Sequence, residues 1–302
     1  MTLDGLLNNI FDSENLSAIQ WSECQQPVVR ASATGSLRDF WYLRDRSLGA
    51  EQYGDDFGFQ WTELYDDYRH LRSVHLDQFM RFGINPNDLR GKICLDVGCG
   101  LGRLSEICLG VADHVIGIDL SKAVTEAGRL VSTPSFTPVW GTGDRMPLKD
   151  ESVDFVFCWG VLHHTINPRE TLRELWRVVK PGGLVAIWVY PRNERYLRRS
   201  LLAHHFSELD EMQMLNVANT LTAIAHTLQI NSPAFLNALR SDLIFSVKNT
   251  KEYSKHILYD GLGPAFHYLL DRAWFVRECG RLPGKPQAQF VNKIDTTTIL
   301  RK

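Results

Sequence analysis

The chain contains 302 residues with a formal net charge of −2, and 44% of them are hydrophobic. A chain of this length and hydrophobic content can bury a full core, which argues against a disordered protein. It has no block of lysine or arginine, so a nucleic-acid partner is disfavoured. The six cysteines are scattered, and no apolar run approaches a membrane span. With no leader pattern among the first residues, these features predict a cytoplasmic protein.

Residues 1–90 are predicted to form an aromatic and helical cap. Apolar side chains recur at helical spacing over residues 62–82, and Asn85-Pro86 ends the pattern. The preceding segment is rich in rings and includes Phe57-Gly58-Phe59-Gln60-Trp61. Two interpretations stay open for this segment, because aromatic side chains serve packing but can also close a lid over a ligand.

Residues 91–191 alternate between strand and helix patterns, which predicts a doubly wound, mostly parallel sheet. Ser121 is predicted to cap a helix at 122–131. A second helix is predicted to open at Asn167-Pro168 and to stop at Pro181-Gly182-Gly183. The short apolar runs predicted as buried strands are residues 93–97, 115–118, 137–140, 153–159 and 184–190.

The pattern changes after the fifth of these strands. Residues 192–255 are rich in helix formers and show no strand pattern, which predicts a helical insertion. Residues 256–302 are predicted to complete the core, with a helix near 269–279, ended by Gly280, and a strand near 289–294.

A glycine-rich turn, Asp96-Val97-Gly98-Cys99-Gly100-Leu101-Gly102, follows the first core strand. Its glycines permit a tight turn and a close approach of the backbone to a ligand. A dinucleotide-binding fingerprint would place a further glycine where this chain has Arg103, so the turn indicates another kind of ligand. Asp96 is placed where it can meet the ammonium group of an amino-acid-like ligand.

Two further acids follow the next two strands. Asp119 ends the second strand, where a carboxylate can accept hydrogen bonds from ribose hydroxyls. Asp144 follows the third strand, where an adenine amino group would lie. One such acid is often only a solvated loop residue. Three acids at three successive strand ends are more specific and indicate a nucleoside with an amino-acid tail.

These motifs resemble the class I methyltransferases that use S-adenosylmethionine (SAM), in the subgroup called type 11. The resemblance implies a Rossmann-like, doubly wound, mostly parallel seven-stranded sheet with an N-terminal helical cap and a helical insertion after the fifth strand. It is carried by the glycine turn and by residues 115–121, 143–148, 152–156, 161–164 and 175–183.

The resemblance also implies SAM as the cofactor, S-adenosylhomocysteine (SAH) as its product, and no metal. From the methionine end to the adenine end, the implied cofactor residues are Asp96, Gly98, Gly100 and Gly102, then Asp119 and Leu120, then Asp144 and Arg145, with Trp159 nearby. The resemblance does not specify the acceptor. The chain lacks both the Asn or Asp-Pro-Pro-aromatic tetrapeptide of nucleobase amino-group methyltransferases and the Pro-Cys pair of cytosine methyltransferases, so the predicted acceptor is a small molecule that receives the methyl group on oxygen, nitrogen or carbon.

His163 and His164 follow the fourth strand, at the edge where the ligand crevice of such a sheet opens. Either one is a candidate base for a hydroxyl acceptor, and the alternative is that the pair only shapes the pocket. For residues 192–255, acceptor selection and an oligomer contact are both open. Two other functions also remain open: a methylation that triggers rearrangement or cyclisation, and a non-catalytic scaffold with the same fold.

Overall fold

The computed structural model describes residues 9–11, 16–21, 27–31, 76, 80, 83–190, 206, 209–231, 268–291 and 296–302. The strands in these ranges are β1 (Leu16–Trp21), β2 (Pro27–Ala31), β3 (Ile93–Val97), β4 (His114–Asp119), β5 (Phe136–Trp140), β6 (Val153–Trp159), β7 (Val179–Trp188), β8 (Gln289–Phe290) and β9 (Thr298–Arg301). The helices are α1 (Arg103–Leu109), α2 (Ala123–Val131), α3 (Pro168–Val178), α4 (Glu211–Asn231) and α5 (Arg272–Cys279), with 3-10 turns at Pro86–Leu89 and Leu162–His164.

Within the described residues the strands form one sheet in the order β1-β2-β5-β4-β3-β6-β7-β9-β8. The neighbours from β2 to β7 run parallel, whereas β9 is antiparallel to both β7 and β8. The part from β5 to β8 is the predicted mostly parallel seven-stranded sheet, which is confirmed. The hairpin of β1 and β2 extends it beyond β5 and was not predicted.

The strand order reverses at β3, which has β4 on one side and β6 on the other. At such a switch point the connections leave in opposite directions, so a crevice opens at the carboxyl ends of the two strands. The glycine-rich turn follows β3, and the histidine pair follows β6. The fold therefore brings both motifs to one crevice.

Apolar layers cover both faces of the sheet. One layer packs α3 and α5 against it through Leu172, Leu175 and Phe275. The other packs α1 and α2 through Cys108 and Ala127. Successive strand residues point to opposite faces, so the uninterrupted apolar runs of the central strands are buried on both sides.

The helix α3 begins where the sequence predicts, but it ends earlier than predicted. The Asn167 side chain accepts hydrogen bonds from the backbone N–H groups of Arg169 and Glu170, and Pro168 occupies the first turn. The helix nevertheless ends at Val178, ahead of the predicted stop at Pro181-Gly182-Gly183. The chain enters β7 directly, because Val179 already pairs with β6.

The outer segments agree with the sequence to different degrees. The predicted helix at 62–82, apart from residues 76 and 80, and the aromatic segment before it lie outside the described residues. So does most of 192–255, although α4 falls inside that segment. Near the C-terminus α5 ends at the predicted Gly280, and β9 was not predicted. None of the described helices is long and apolar enough to span a membrane.

A short N-terminal piece is anchored in the core. Ile10 and Phe11 are buried, and both belong to the apolar cluster around α3. The Lys149 N–H donates to the Ile10 carbonyl at 2.7 Å, and Phe11 forms a β-bridge with Leu148. The loop after β5 is thereby fixed to the N-terminal part of the chain.

We expect Phe11→Ala to lower the free energy of unfolding by about 3 kcal/mol, since it removes a buried ring and leaves a cavity. Urea denaturation monitored by circular dichroism measures the change. Val291→Ala, at a side chain that is 40% exposed, is the control and should stay within about 0.5 kcal/mol of wild type. Equal stability of the two variants would show that the N-terminal anchor does not contribute.

Candidate functional site

The glycine-rich turn after β3 depends on its glycines. Gly98, Gly100 and Gly102 have φ angles of 74°, 53° and 82°, a region that other residues rarely adopt. The backbone N–H groups of Gly98 and Cys99 donate to the Ile118 carbonyl at 2.7 and 3.1 Å. The turn is therefore fixed to β4 before it leads into α1.

The turn also packs closely against the segment that follows β6. A Cβ atom at Gly98 would lie 2.2 Å from Cγ2 of Val161, well inside van der Waals contact. Val161 directly precedes the turn of Leu162–His164. A side chain at Gly98 would thus displace the segment that carries both histidines.

Asp96, at the end of β3, is 2% exposed, and its Oδ2 accepts a hydrogen bond from the Ser105 hydroxyl at 2.8 Å. Burial raises the pKa of this carboxyl to about 6, against the opposing effects of the Ser105 hydrogen bond and of Arg103. A cation placed beside Asp96 would favour the ionised carboxylate. The ammonium group that the sequence predicts beside Asp96 stays a prediction.

Asp119, at the end of β4, connects the glycine turn to the start of α2. Its Oδ2 accepts from the Gly100 N–H at 2.7 Å, and its Oδ1 accepts from the N–H and the hydroxyl of Ser121 at 2.8 and 2.7 Å. Burial raises its pKa, and these hydrogen bonds oppose that rise. An ionised carboxylate has about four acceptor positions, so about one remains, on Oδ2, for a ligand hydroxyl.

The role of Ser121 differs from the prediction. The residue before α2 is Lys122, and no side chain caps this helix. Ser121 uses its hydroxyl on Asp119 instead, because the carboxylate at the strand end is a stronger acceptor than a neutral partner. The N-cap prediction for Ser121 was wrong. The hydrogen bond from its hydroxyl to Asp119 adds Ser121 to the site.

Leu120 is positioned by an aromatic side chain for which the sequence predicts no role in the site. The indole N–H of Trp140, at the end of β5, donates to the Leu120 carbonyl at 2.9 Å. The Gly141 N–H donates to the Asp119 carbonyl at the same distance, 2.9 Å. The ends of β4 and β5 are thus fixed to each other.

Asp144 lies half-buried in the loop after β5, where its carboxylate accepts a hydrogen bond from the Thr142 hydroxyl. Arg145 is exposed. Two side chains of α3 hold this loop in place. Arg177 donates to the Leu148 carbonyl at 2.6 Å. Glu174 accepts from the Met146 N–H at 2.8 Å. The sequence does not predict a role for either of these two α3 side chains.

A row of five rings lies at the carboxyl ends of β6 and β7. Trp159 and Trp188 stack with centroids 4.9 Å apart and planes 16° from parallel, and they are register partners in the sheet. Tyr190 meets Trp188 edge-on at 5.3 Å and lies 4.2 Å from His163. His163 in turn lies 4.1 Å from His164. We call these five residues the ring row.

The histidine pair is buried within this row. His163 is 0% and His164 4% exposed, and both rings contact Tyr190. The His163 carbonyl accepts from the Tyr268 N–H at 2.9 Å, so the segment before α5 fixes the turn. Neither imidazole is therefore in contact with bulk water.

The described residues contain no group of three or more His, Cys, Asp or Glu side chains that could hold a metal ion. The five described cysteines are free and buried. Burial raises the pKa of both Cys94 and Cys158 to about 12, which keeps these thiols protonated.

Residues 95–187 match the family model described as Methyltransferase domain, type 11. The chain is 31% identical over 143 residues to the ubiquinone biosynthesis O-methyltransferase of Aliivibrio fischeri, covering 46% of this chain and 61% of that protein. For the protein of the same name from Proteus mirabilis, the identity is 31% over 140 residues, covering 45% and 57%. The chain thus spans about three-fifths of the length of the curated relatives it matches.

Among solved structures, the chain is similar to a SAM-dependent methyltransferase from Aquifex aeolicus. The two are 25% identical, with a TM-score of 0.33, and the similar part covers 41% of this chain and 74% of the other.

We expect Asp96→Asn to change how stability depends on pH when no ligand is present. The folded pKa of about 6 exceeds the ordinary value of 3.8, so the folded state binds the proton more tightly. Asp96 therefore destabilises wild type progressively as pH rises from about 4 to 6. Between these values the variant should gain up to about 3 kcal/mol relative to wild type.

Urea denaturation across this pH range measures the difference. Asp113→Asn, at an exposed carboxylate, is the matched control for the loss of one carboxylate. A constant difference between Asp96→Asn and wild type would contradict the raised pKa.

Proposed function

We propose that this chain, which carries a methyltransferase domain over residues 95–187, transfers a methyl group from SAM to an oxygen atom of a small-molecule acceptor in a biosynthetic pathway. The observation that carries the proposal is the row of acids at the carboxyl ends of three adjacent strands. Asp144 follows β5, Asp119 ends β4 and Asp96 lies in β3, next to the glycine turn.

The spacing of these acids suits SAM. Neighbouring strands lie about 4.8 Å apart, so the three strand ends span roughly 10 Å. In our proposal the adenine lies near Asp144, the ribose near Asp119 and the amino-acid tail near Asp96. The acceptor position left on Asp119 can take a ribose hydroxyl, and the buried Asp96 can take the ammonium group.

When bound, SAM supplies a methyl group on a positively charged sulfur. The protein must then align an acceptor lone pair with that methyl carbon and exclude water. In such a transfer the acceptor oxygen would bond to the methyl carbon, and the electron pair of the broken carbon–sulfur bond would go to sulfur. We propose that His163 or His164 receives the hydroxyl proton, since both lie at the same edge of the sheet.

The choice of an oxygen acceptor draws on the relatives, which are named as O-methyltransferases. Their names also favour plain methyl transfer over a methylation that triggers rearrangement and over a non-catalytic scaffold. We place the reaction in a reducing compartment, which the free, buried cysteines support.

We expect Asp119→Ala to weaken SAM binding by about 1.5–3 kcal/mol, because it removes a charged hydrogen-bond acceptor from the ribose and loosens the Gly100 turn. Isothermal titration calorimetry with SAM measures the loss. Ser121→Ala is the matched control, since it removes one donor to Asp119 and keeps the carboxylate. It should cost less than about 1 kcal/mol. Unchanged affinity in Asp119→Ala would overturn the cofactor assignment.

We expect one of the variants His163→Gln and His164→Gln to lower kcat by about 100- to 10,000-fold with a hydroxyl acceptor, as for loss of a general base. Single-turnover transfer of labelled methyl groups gives the rate, and the same variant should lose the rise of rate with pH. The other variant is its control for packing. If both retain the wild-type rate, neither histidine is the base and the pair only shapes the pocket.

A further inference from the structure

We propose that Glu174 and Arg177 of α3 are positioning residues that set the preference of the cofactor site for adenine. The inference rests on the proposed function, which places the adenine near Asp144. Neither residue is assigned a contact with the cofactor. Both act on it through the loop after β5, to which they are bonded from α3.

Arg177 uses all of its hydrogen-bond donors. A guanidinium carries five N–H groups in a rigid planar fork, and Arg177 makes five hydrogen bonds. Two go to the two carboxylate oxygens of Glu174, at 2.6 and 2.7 Å. The other three go to the Leu148 carbonyl at 2.6 Å, to Asp150 at 2.8 Å and to the Met146 carbonyl at 3.1 Å. Because this side chain is held at five points, it fixes the loop at a set distance from α3.

Met146 is bonded to α3 through both of its backbone polar groups. Its carbonyl accepts from Arg177, and its N–H donates to Oε2 of Glu174 at 2.8 Å. Its side chain is also buried. Asp144 lies two residues earlier, and two steps of the backbone span at most about 7 Å. Glu174 and Arg177 therefore limit where Asp144 can lie.

Asp144 depends on this support because its own hydrogen bond is local. Among the described residues its carboxylate accepts from the Thr142 hydroxyl, which belongs to the same loop. That bond orients the carboxylate within the loop but does not place the loop against the sheet. The nearest fixed points along the chain are Met146 and the Gly141 N–H, which donates to the Asp119 carbonyl at 2.9 Å. Asp144 lies between these two points, and α3 holds one of them.

The position of Asp144 matters for the choice of base. Adenine carries an amino group that donates hydrogen bonds, whereas hypoxanthine carries an oxygen that accepts them at the same place. A carboxylate within bonding distance favours the first base and repels the second, and a site built for hydrogen bonding rejects an analogue without the matching group. The preference for adenine is therefore more sensitive to the position of the loop than binding of the rest of the cofactor is.

The chain offers a matched pair for comparison one turn earlier on α3. Glu170 and Arg173 have the same i, i+3 spacing and also form an ion pair. Arg173 is exposed, and among the described residues it bonds only to Glu170. Arg177 is half-buried and reaches the loop as well. Both ion pairs can stabilise the helix, whereas only the second pair contacts the loop.

The test measures the affinities of the full-length protein for SAH and for S-inosylhomocysteine, in which hypoxanthine replaces adenine, by isothermal titration calorimetry. We expect wild type to bind SAH about 10- to 100-fold more tightly, the range for a hydrogen bond to a charged group. In Arg177→Lys this preference should fall below about threefold, because an ammonium group has three donors and no planar fork. Most of the fall should come from weaker binding of SAH. Arg173→Lys is the matched control and should keep the wild-type preference.

Glu174→Gln is a second variant of the same pair. It keeps the shape of the side chain but has one acceptor oxygen where the carboxylate has two, so it should also lower the preference. The ratio of the two affinities does not depend on the folded fraction, because both ligands titrate the same folded protein. A wild-type preference in both Arg177→Lys and Glu174→Gln would overturn the positioning role. An equal loss in Arg173→Lys would overturn it as well, because the effect would then come from the stability of α3.

A double substitution tests whether Arg177 acts through Asp144. Asp144→Ala should by itself weaken SAH binding and remove the preference for adenine. Arg177→Lys added to Asp144→Ala should then weaken SAH binding no further, because the effects of coupled residues are not additive. Full additivity of the two losses would show that Arg177 acts independently of Asp144, which contradicts the positioning role.

SAH binding by wild type separates this inference from the proposed function. If wild type does not bind SAH, the proposed function fails. If wild type prefers SAH and both Arg177→Lys and Glu174→Gln retain that preference, only the positioning role fails. If wild type binds SAH and S-inosylhomocysteine equally, the loop does not select the base, and the positioning role fails while the binding of SAH stands.

Discussion

The carboxylate of Asp119 is the interaction on which the crevice depends. It connects the N–H of Gly100, in the turn after β3, to the N–H and hydroxyl of Ser121, which precedes α2. These segments belong to different connections, and the carboxylate holds them together in addition to the Gly98 and Cys99 N–H groups that bond to the Ile118 carbonyl. The same oxygen that accepts from Gly100 is the one with capacity for a ligand. The Asp119 carboxylate therefore both holds the glycine turn in place and offers an acceptor to a ligand.

Around this carboxylate the edge of the sheet divides into two chemically different halves. Acids lie near the ends of β3 and β4 and in the loop after β5, whereas rings lie at the ends of β6 and β7. Val161 joins the halves, because its side chain fills the space above Gly98 and its backbone leads into the histidine turn. A ligand that orders the glycine turn would therefore also affect the position of the histidine turn, through the contact between Gly98 and Val161. Binding of the two substrates is expected to be coupled by contact and not by long-range motion.

Local sequence patterns were sufficient to predict the strands at the centre of the sheet and the start of α3. The bounds of β3 and β6 follow from apolar runs between charged or glycine residues, and the start of α3 follows from Asn167 and Pro168. Features that need a distant partner were missed. The strand β9 is recognisable only through its pairing with β7, and Ser121 looks like an ordinary cap until Asp119 is placed beside it. The stack of Trp159 on Trp188 likewise requires the strand register.

The N-terminal anchor has a consequence for folding during synthesis. Ile10 bonds to Lys149, and Phe11 pairs with Leu148, so these contacts close a loop of roughly 140 residues. During synthesis, residues 9–11 leave the ribosome long before residues 148 and 149. Until those residues emerge, the side chains of Ile10 and Phe11 have no core to pack against. Such delayed long-range contacts slow folding and leave apolar surface exposed, to which chaperones can bind. The nascent chain is therefore expected to be most prone to misassembly before the loop after β5 has left the exit tunnel.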